Sequence, residues 1–493
     1  MASIQAFLLL AIPLIPIIVL AIRSLRGARS EGGCYWLLAA TVLQFVSLVT
    51  LAVCQTLTVT QAEPSAYSHF SASIPLFPGT TVFKIALRLD LLNGAGLVGL
   101  QLALLTIAGT RLPHRSKNEN SLIAFLAFGS WLLLGDDLVS LATASSLAVL
   151  GLAGISRSSK SSPNENSGTG LPVFLFVGWM VFLCGIAWLA AVAAIVRSAP
   201  HGVPGETTFV VTDLAHLLQV SIRQHPAARF LWEQYRLLPV GALAVGVGLL
   251  AGLFPFQELY SRRFAKAAFE QRVGLLFLSN AAFIHFARIL SDFPASTAEI
   301  PDVPLALPEL YIPAMLGFAA LSFFLNARLE PDELRGRVVT WAHQFVFLGF
   351  VLLHSLRVVC VLYAVVTQFA SLVLICLEDD QQGAGRTDPS AVGKWIAVAT
   401  VGVLPGTMGM LLVWQVHQLL NGSEEFGAAS GWVFAGAILV SVVGLVKLLP
   451  DEGESHLSQS PPLVNCFRWI WIGVAIVSSI AIPVWALIQS RVV

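Results

Sequence analysis

Charge is what this chain has least of: Asp, Glu, Lys and Arg make up 11% of its 493 residues, against about a quarter in an average soluble domain. So few ionic groups cannot hold a chain of this size in water. With 56% of the residues apolar, lipid must cover much of it. Excess charge of one sign is absent as well. The 28 Lys and Arg balance the 28 Asp and Glu, so neither nucleic acid nor an acidic substrate is expected as a partner. Cysteine is scarce and scattered: Cys34, Cys54, Cys184, Cys360, Cys376 and Cys466 contain no CxxC pair. That spacing argues against an iron–sulfur cluster or structural zinc and leaves them as small buried hydrophobes, so no cofactor or metal is expected. No basic stretch and no clear small-residue cleavage site accompany the first apolar run, which therefore reads as a spanning helix rather than a removed signal. No HxxxD motif, paired acid or His-rich cluster lies on a cytoplasmic loop, which weighs against a membrane enzyme such as a lipid-modifying transferase. Glu378-Asp379-Asp380 reads as a solvated charge run rather than a metal site.

Long apolar runs are what the chain has in abundance. Crossing the hydrocarbon core takes about twenty apolar residues as a helix. Runs of that kind fall at 2–22, 34–60, 90–110, 119–135, 137–156, 170–196, 237–257, 268–290, 309–327, 338–355, 357–377, 393–420, 430–449 and 467–489. The expected fold is all-α and integral to the membrane, with about fourteen spans. Placing the N-terminus outside puts 19 of the 28 Lys and Arg on inward loops, among them Arg23, Arg26, Arg29, Arg262, Arg263, Lys266 and Arg272. The outward loop 291–308 carries Asp292, Glu299 and Asp302 and no base. The positive-inside rule then puts both termini outside a bacterial inner membrane. Segments 156–169 and 378–392 read as linkers. Segment 206–235, with Leu214, Leu217, Leu218, Val220 and Ile222 among charged residues, reads as an amphipathic or solvated helix at the surface.

Two spans are interrupted alike, at Ala251-Gly252-Leu253-Phe254-Pro255-Phe256-Gln257 and at Gly402-Val403-Leu404-Pro405-Gly406-Thr407-Met408-Gly409. Each proline removes a backbone hydrogen bond, and Gly252, Gly406 and Gly409 loosen the turn. Broken backbone at membrane depth is tolerated only inside protein or beside a wet cavity, and a matched pair marks an inverted-repeat transporter. The breaks fall in the seventh and twelfth helices, each the fourth of a five-helix unit. The expected organisation is 1–118 (helices one to three), 119–291 and 309–449 (the two repeats), and 450–493 (the last loop and helix).

These motifs resemble those of the antiporter-like membrane subunits: chains L, M and N of NADH-quinone oxidoreductase, the large Mrp antiporter subunits, and the DabB subunit of inorganic-carbon pumps. The resemblance rests on Phe254-Pro255-Phe256-Gln257, on Leu404-Pro405-Gly406 with Gly409, on Leu87-Arg88-Leu89-Asp90-Leu91-Leu92 before the third helix, and on Asp332-Glu333-Leu334-Arg335-Gly336-Arg337 before the tenth. It implies a proton-translocating subunit working beside other membrane subunits of a hetero-oligomer, not catalytic alone. If DabB-like, it implies a cation-conducting subunit beside a soluble zinc-bearing partner. The absence of a lateral-helix extension suits chain M or DabB better than chain L.

The family's midplane charges are missing. Matched through flanking motifs, the Glu of the fifth helix falls near Ser146 and the Lys of the seventh near Leu250. The Lys of the eighth falls at Asn280 and the charge of the twelfth at Val413. None of these titrates, and a proton relay needs groups that gain and lose protons, so a degenerate, non-conducting structural subunit is the rival expectation. The titratable groups left near the spans are His285, His343 and His417, with Asp136 and Asp137 at the outer mouth of the fifth helix. Histidine shuttles protons near neutral pH, but each could equally be a neutral, hydrogen-bonded interior residue. Asn280 is shared with the DabB branch.

Overall fold

The computed structural model describes residues 2–26, 34–59, 68–75, 82–111, 118–158, 170–198, 209–292, 331–352, 357–382, 412–418, 433, 438 and 462–492. In chain order the elements begin with α1 (Ala2–Arg26), α2 (Tyr35–Val59), β1 (Ser68–Pro75), β2 (Val82–Leu89), α3 (Leu91–Arg111), α4 (Glu119–Leu134) and α5 (Leu138–Ser158). They continue with α6 (Gly170–Ser198), α7 (Val211–Gln224), α8 (Pro226–Tyr235), α9 (Leu237–Ala251), α10 (Gln257–Ala265) and α11 (Phe269–Asp292). The rest are α12 (Pro331–Leu352), α13 (Arg357–Leu362), a π-helical segment Tyr363–Gln368, α14 (Phe369–Gln382) and α15 (Pro462–Val492). Among the described residues, eight helices are long and apolar enough to cross a membrane, and the chain is a multi-pass membrane protein. The broken stretch Gly402–Gly409, with Pro405, Gly406 and Gly409, lies outside the described residues.

The chain divides into two compact units, Met1–Leu250 with Ala281–Val303 and Ala251–Asn280 with Pro304–Val493. In the first, α4 packs against α1, α2, α3 and α5. Inside this group Gln44 Nε2 donates to Ile12 O at 2.8 Å and contacts Ser130 Oγ at 2.7 Å, while Gln101 Nε2 donates to Gln44 Oε1 at 3.2 Å. The first of these bonds has a local cause. Pro16 lies inside α1 and has no N–H, so the carbonyl four residues earlier, Ile12, loses its helical donor. Gln44 supplies one from the neighbouring helix.

The loop between α2 and α3 carries an antiparallel hairpin, with Ser68 opposite Leu89 and Pro75 opposite Val82. Its second strand is bridged to Gly135 through Leu87, and beyond it Asp137 pairs in turn with Val210. This small layer ties together the starts of α3, α5 and α7. Within the segment 206–235, residues 211–235 form two helices that meet at His225. In α7, Val211, Leu214, Ala215, Leu218 and Ile222 are buried, an i, i+3, i+4, i+7, i+11 series that makes one face, and the helix packs on α6.

Helices α6 and α9 approach closely through glycine. A methyl group at Gly185 would stand 2.9 Å from the Leu243 backbone nitrogen, one at Gly246 2.7 Å from Phe182, and one at Gly178 2.9 Å from Leu250. Without a hydrophobic drive between helices in lipid, such backbone proximity is what lets dispersion hold them. In the second unit, α10 packs on α12, where Gly336 lies directly on the Ser261 backbone. The helix α12 starts at Pro331, so the polar stretch Asp332–Arg337, expected as a turn before the span, is its first turn and a half, with Pro331 opening it. In α11, 94% of the most apolar stretch is buried, against 28% in α1, so this chain encloses the former and leaves most of the latter uncovered.

The glycine seam gives a direct test. Gly246→Ala should lower the thermal unfolding midpoint of the detergent-solubilised protein by the equivalent of about 1–3 kcal/mol, the usual cost of overpacking. Gly241→Ala, whose added methyl meets nothing within 4 Å, should not; equal effects of the two would refute the seam.

Candidate functional site

The break between α9 and α10 is built from its sequence. Pro255 carries no N–H, so the carbonyl four residues earlier, Ala251, has no helical donor. The chain turns through Gly252, whose φ of +65° suits a residue without a side chain. A methyl group there would stand 2.6 Å from the Tyr260 ring. The Phe254–Pro255 peptide is cis, Phe256 N donates to Leu253 O at 2.6 Å, and α10 restarts with Tyr260 N donating to Phe256 O at 3.1 Å. The orphaned Ala251 carbonyl accepts a hydrogen bond from His343 Nδ1 at 2.8 Å. A carbonyl can only accept, so Nδ1 carries the proton and Nε2 is the nitrogen that can take up another. Tyr260 stands edge-on to the His343 ring, with centroids 6.1 Å apart. Its hydroxyl lies 3.0 Å from Ser279 Oγ, which donates in turn to Leu275 O at 3.0 Å. His343 and Tyr260 are fully enclosed, at 1% and 2% exposure.

His285 does the same work in the first unit. Helix α4 ends at Leu134, and the N–H that would reach Leu132 O, that of Asp136, donates instead to Ala86 O of the hairpin at 2.9 Å. His285 Nε2 fills the vacancy at 2.7 Å from Leu132 O. Both histidines therefore serve a helix-end carbonyl whose ordinary donor has been lost or diverted.

One turn further along α11, Arg288 Nε lies 3.3 Å from Asp90 Oδ2 and Nη2 lies 3.1 Å from Asp136 Oδ1. Asp90 also faces Arg88 Nε at 3.4 Å and caps α3 by accepting Asn93 N–H at 3.0 Å. Asp136 accepts the Thr212 hydroxyl at 2.5 Å, and Arg88 Nη1 donates to that hydroxyl at 3.2 Å. Asp137 accepts Ala86 N–H at 2.7 Å and Ser140 N–H at 2.8 Å, which makes it the N-cap of α5. Two guanidiniums thus meet two carboxylates, Asp90 and Asp136, while the N–H groups and helix dipole of α5 offset the charge of the third, Asp137. Asp136, Asp137 and Arg288 are all at 5% exposure or less.

The predicted residues separate accordingly. Asp136 and Asp137 sit together in a closed ion network, with His285 one turn away. His343, Gly252 and Pro255 meet at the helix break. Asn280 is buried, next in sequence to Ser279. His417 is half-buried beside Trp414, with ring centroids 6.4 Å apart. Leu250 is fully buried against Gly178, Val413 is buried, and Ser146 is half-buried. Sequence reasoning missed Arg288 and Thr212 and took Arg88 and Asp90 only as a motif. The available signal was Arg288 itself, a lone arginine near the C-terminal end of an apolar span, where an unpaired charge is costly. The opposite end of this unit has its own buried pair: Glu119, 2.7 Å from Arg23, accepts the N–H groups of Trp36 and Leu37 that open α2 at 2.9 and 3.0 Å. Among the described residues no group of three or more His, Cys, Asp or Glu could hold a metal ion.

No known family profile matches the chain, and no curated protein matches it. Solved structures do share its fold. A chain of the Mrp complex from Dietzia sp. DQ12-45-1b is similar with a TM-score of 0.63 at 13% identity, over 91% of this chain and 79% of that one. A chain of the membrane-bound sulfane sulfur reductase, an archaeal respiratory membrane complex, is similar with a TM-score of 0.70 at 14% identity, over 99% of this chain and 96% of that one. At such identity the likeness shows the fold alone: this chain has the predominantly helical, multi-pass fold of those membrane-complex chains.

The two kinds of contact predict an order of effects. Arg288→Ala strips the buried Asp136 of its cation and Asp90 of one of its two, and should cost about 3–5 kcal/mol. His343→Ala leaves one buried carbonyl unpaired and should cost about 1–3 kcal/mol. Thermal unfolding of both variants in one detergent checks this, and a His343→Ala loss exceeding that of Arg288→Ala would contradict it.

Proposed function

We propose that this chain, built on the antiporter-like fold, is an ion-translocating membrane subunit of a hetero-oligomeric complex in a bacterial inner membrane. Protons are the ion, both termini lie outside, and chain M or L of NADH-quinone oxidoreductase is the nearest functional analogue. The observation that carries this reading is the helix break at Gly252–Pro255 closed by a titratable group, His343, within a fold shared along the chain with subunits of respiratory and Mrp complexes. Two inverted five-helix repeats, 119–291 and 309–449, belong to the same proposal, with Pro405, Gly406 and Gly409 forming the second break.

The chemistry at the first break suits a proton-handling group. With Nδ1–H held by the Ala251 carbonyl, His343 can bind or release a proton at Nε2 without letting go of the backbone. The imidazolium would hold that carbonyl more strongly than the neutral ring. His285 can do the same at Nδ1 while Nε2–H stays on Leu132. Charge movement at either ring is thereby separated from the bond that keeps the helix end in place. His417 is a third candidate on 412–418. Asp136 and Asp137 hold the outer end of the first unit together through Arg288 and the hairpin.

A second reading has its own support. Leu250 fills a glycine seam where the family carries Lys, and Ser146, Asn280 and Val413 replace the other charges. A structural subunit that keeps the scaffold and no longer conducts would look this way. Asn280 also favours a DabB-like role beside a soluble zinc-bearing partner over a respiratory one.

Two measurements decide among these. Mass spectrometry of whatever accompanies the tagged chain out of mild detergent should find membrane-arm subunits for the respiratory role, or one soluble zinc protein for the carbon-pump role. Recovery of the chain alone would sink the complex. In proteoliposomes the assembled complex should move protons, and His343→Ala should reduce that flux at least tenfold. Flux absent from the wild type would establish the structural reading instead.

A further inference from the structure

Helix α10 runs back along the first half of α11. Arg272 Nη2 donates to Ala265 O at 2.9 Å, and the Tyr260 hydroxyl lies 3.0 Å from Ser279 Oγ. Helix α11 is long and apolar enough to cross a bilayer from Phe269 to Leu290. Arg272 therefore stands near a membrane surface, and Ser279, about 10 Å further along the helix, on the way to the middle. The pairing carries that scale over to α10. Residues 262–266 stand at the level of the headgroups, and Leu259 and Phe254 at the level of the acyl chains. Tyr260, Ser261 and Phe264 are buried, Tyr260 against Ser279 of α11 and Ser261 against Gly336 of α12. Leu259, Arg262, Arg263 and Lys266, an i, i+3, i+4, i+7 series, make the opposite face of α10. Leu259 is 42% exposed, and Phe254 in the turn before it is 39% exposed. Arg262 and Lys266 are exposed and Arg263 is half-buried. Arg272 backs this face, its guanidinium 5.9 Å from the centre of the Phe264 ring.

The charge here is unbalanced. Residues 257–272 and 331–337, which cover α10, the turn after it and the starts of α11 and α12, hold six bases and four acids. Glu258 accepts from Arg262 at 2.8 Å and from Arg337 at 3.0 Å. An exposed i, i+4 pair holds Arg262 only weakly, and Arg337 remains on the carboxylate when Arg262 turns to another anion. Glu270 is buried at 8% exposure. A strip that is apolar at acyl depth and basic at headgroup depth fits a lipid whose headgroup carries net negative charge. Free phosphate has nothing to lay against Leu259 and Phe254. A zwitterionic headgroup brings an ammonium to a place where bases already outnumber acids. We propose that this face of α10 binds an anionic phospholipid. Its phosphate sits between Arg262 and Lys266, with Arg263 and Arg272 behind, and an acyl chain lies along Leu259 and Phe254. Basic pockets beside membrane helices are known seats for such headgroups. The site rests on the membrane fold and not on ion translocation.

Photo-crosslinking from one position reads this site alone. The full-length protein, with a photo-reactive amino acid in place of Leu259, is placed in nanodiscs of equal phosphatidylglycerol and phosphatidylcholine. Mass spectrometry should find phosphatidylglycerol adducts in several-fold excess. Arg262→Gln combined with Lys266→Gln should bring the two lipids to parity, since each base near the surface strengthens the attraction roughly fivefold. Arg229→Gln on α8, away from this face, should leave the excess intact. Parity without those substitutions would overturn the site, as would an excess that the double variant keeps. Inorganic phosphate should not remove the excess when compared with chloride at equal ionic strength. Removal would make this a site for a soluble anion and overturn the lipid. In native membranes a crosslink to protein in place of lipid would overturn it too and make the face a subunit contact.

Discussion

Every helix of this chain that is interrupted in lipid must find new partners for the carbonyls it strands. Water is not there to solvate them, and an unpaired backbone group at that depth costs several kcal/mol. Three times in the described residues the same solution recurs: a buried side chain from a neighbouring helix donates to the orphan. Gln44 serves Ile12 where Pro16 cannot donate, and His343 serves Ala251 where Pro255 cannot. His285 serves Leu132 where the Asp136 N–H has gone to the hairpin. These bonds fix which helices touch and at what height. The two histidines most suggestive of proton transport thus hold structural posts first, and any transport they perform has to leave those bonds intact.

Charge is handled by concentration at the ends. In the first unit the buried arginines and carboxylates are gathered into two compact networks, one around Arg288, Asp90 and Asp136 and one around Arg23 and Glu119. Between them lie neutral groups such as Gln44, Gln101 and Ser130. Each network also caps helices, α3 and α5 at one end and α2 at the other, so the ions satisfy N–H groups as well as one another. That double use offsets the desolvation that makes buried ion pairs poor stabilisers in isolation. It also explains why the small hairpin matters. By drawing the Asp136 N–H to Ala86, it turns the Asp136 and Asp137 side chains toward Arg288, Thr212 and the start of α5.

Much of the architecture was legible in the order of residues. The limits of α4, α5, α6 and α11 fall within a few residues of the apolar runs, because twenty apolar residues in lipid have little choice but helix. The prolines announced the interruption at 251–257. The hairpin at 68–89 was not legible, since its strands pair with each other and the second is bridged to distant Gly135, rather than following a strong local pattern. The π segment at Tyr363–Gln368 was equally silent, because nothing in Tyr-Ala-Val-Val-Thr-Gln departs from an ordinary apolar helix. The ion network was half visible: Asp136 and Asp137 could be named, while the arginine that joins Asp136 to Asp90 lies 152 residues from Asp136 in the chain.

The sequence by itself determined the solvent and the secondary structure. Scarce charge and long apolar runs are local and additive, and they oblige the chain to enter lipid as helices with weak points at Gly252 and Pro255. Tertiary structure alone decided what closes those weak points. The donors come from residues 92 positions away for Ala251 and 153 for Leu132. Which histidine reaches which carbonyl depends on how the helices pack, on glycines such as Gly246 that let two backbones meet, and on a hairpin that diverts one N–H. Those are properties of distance in space, and no spacing along the chain encodes them.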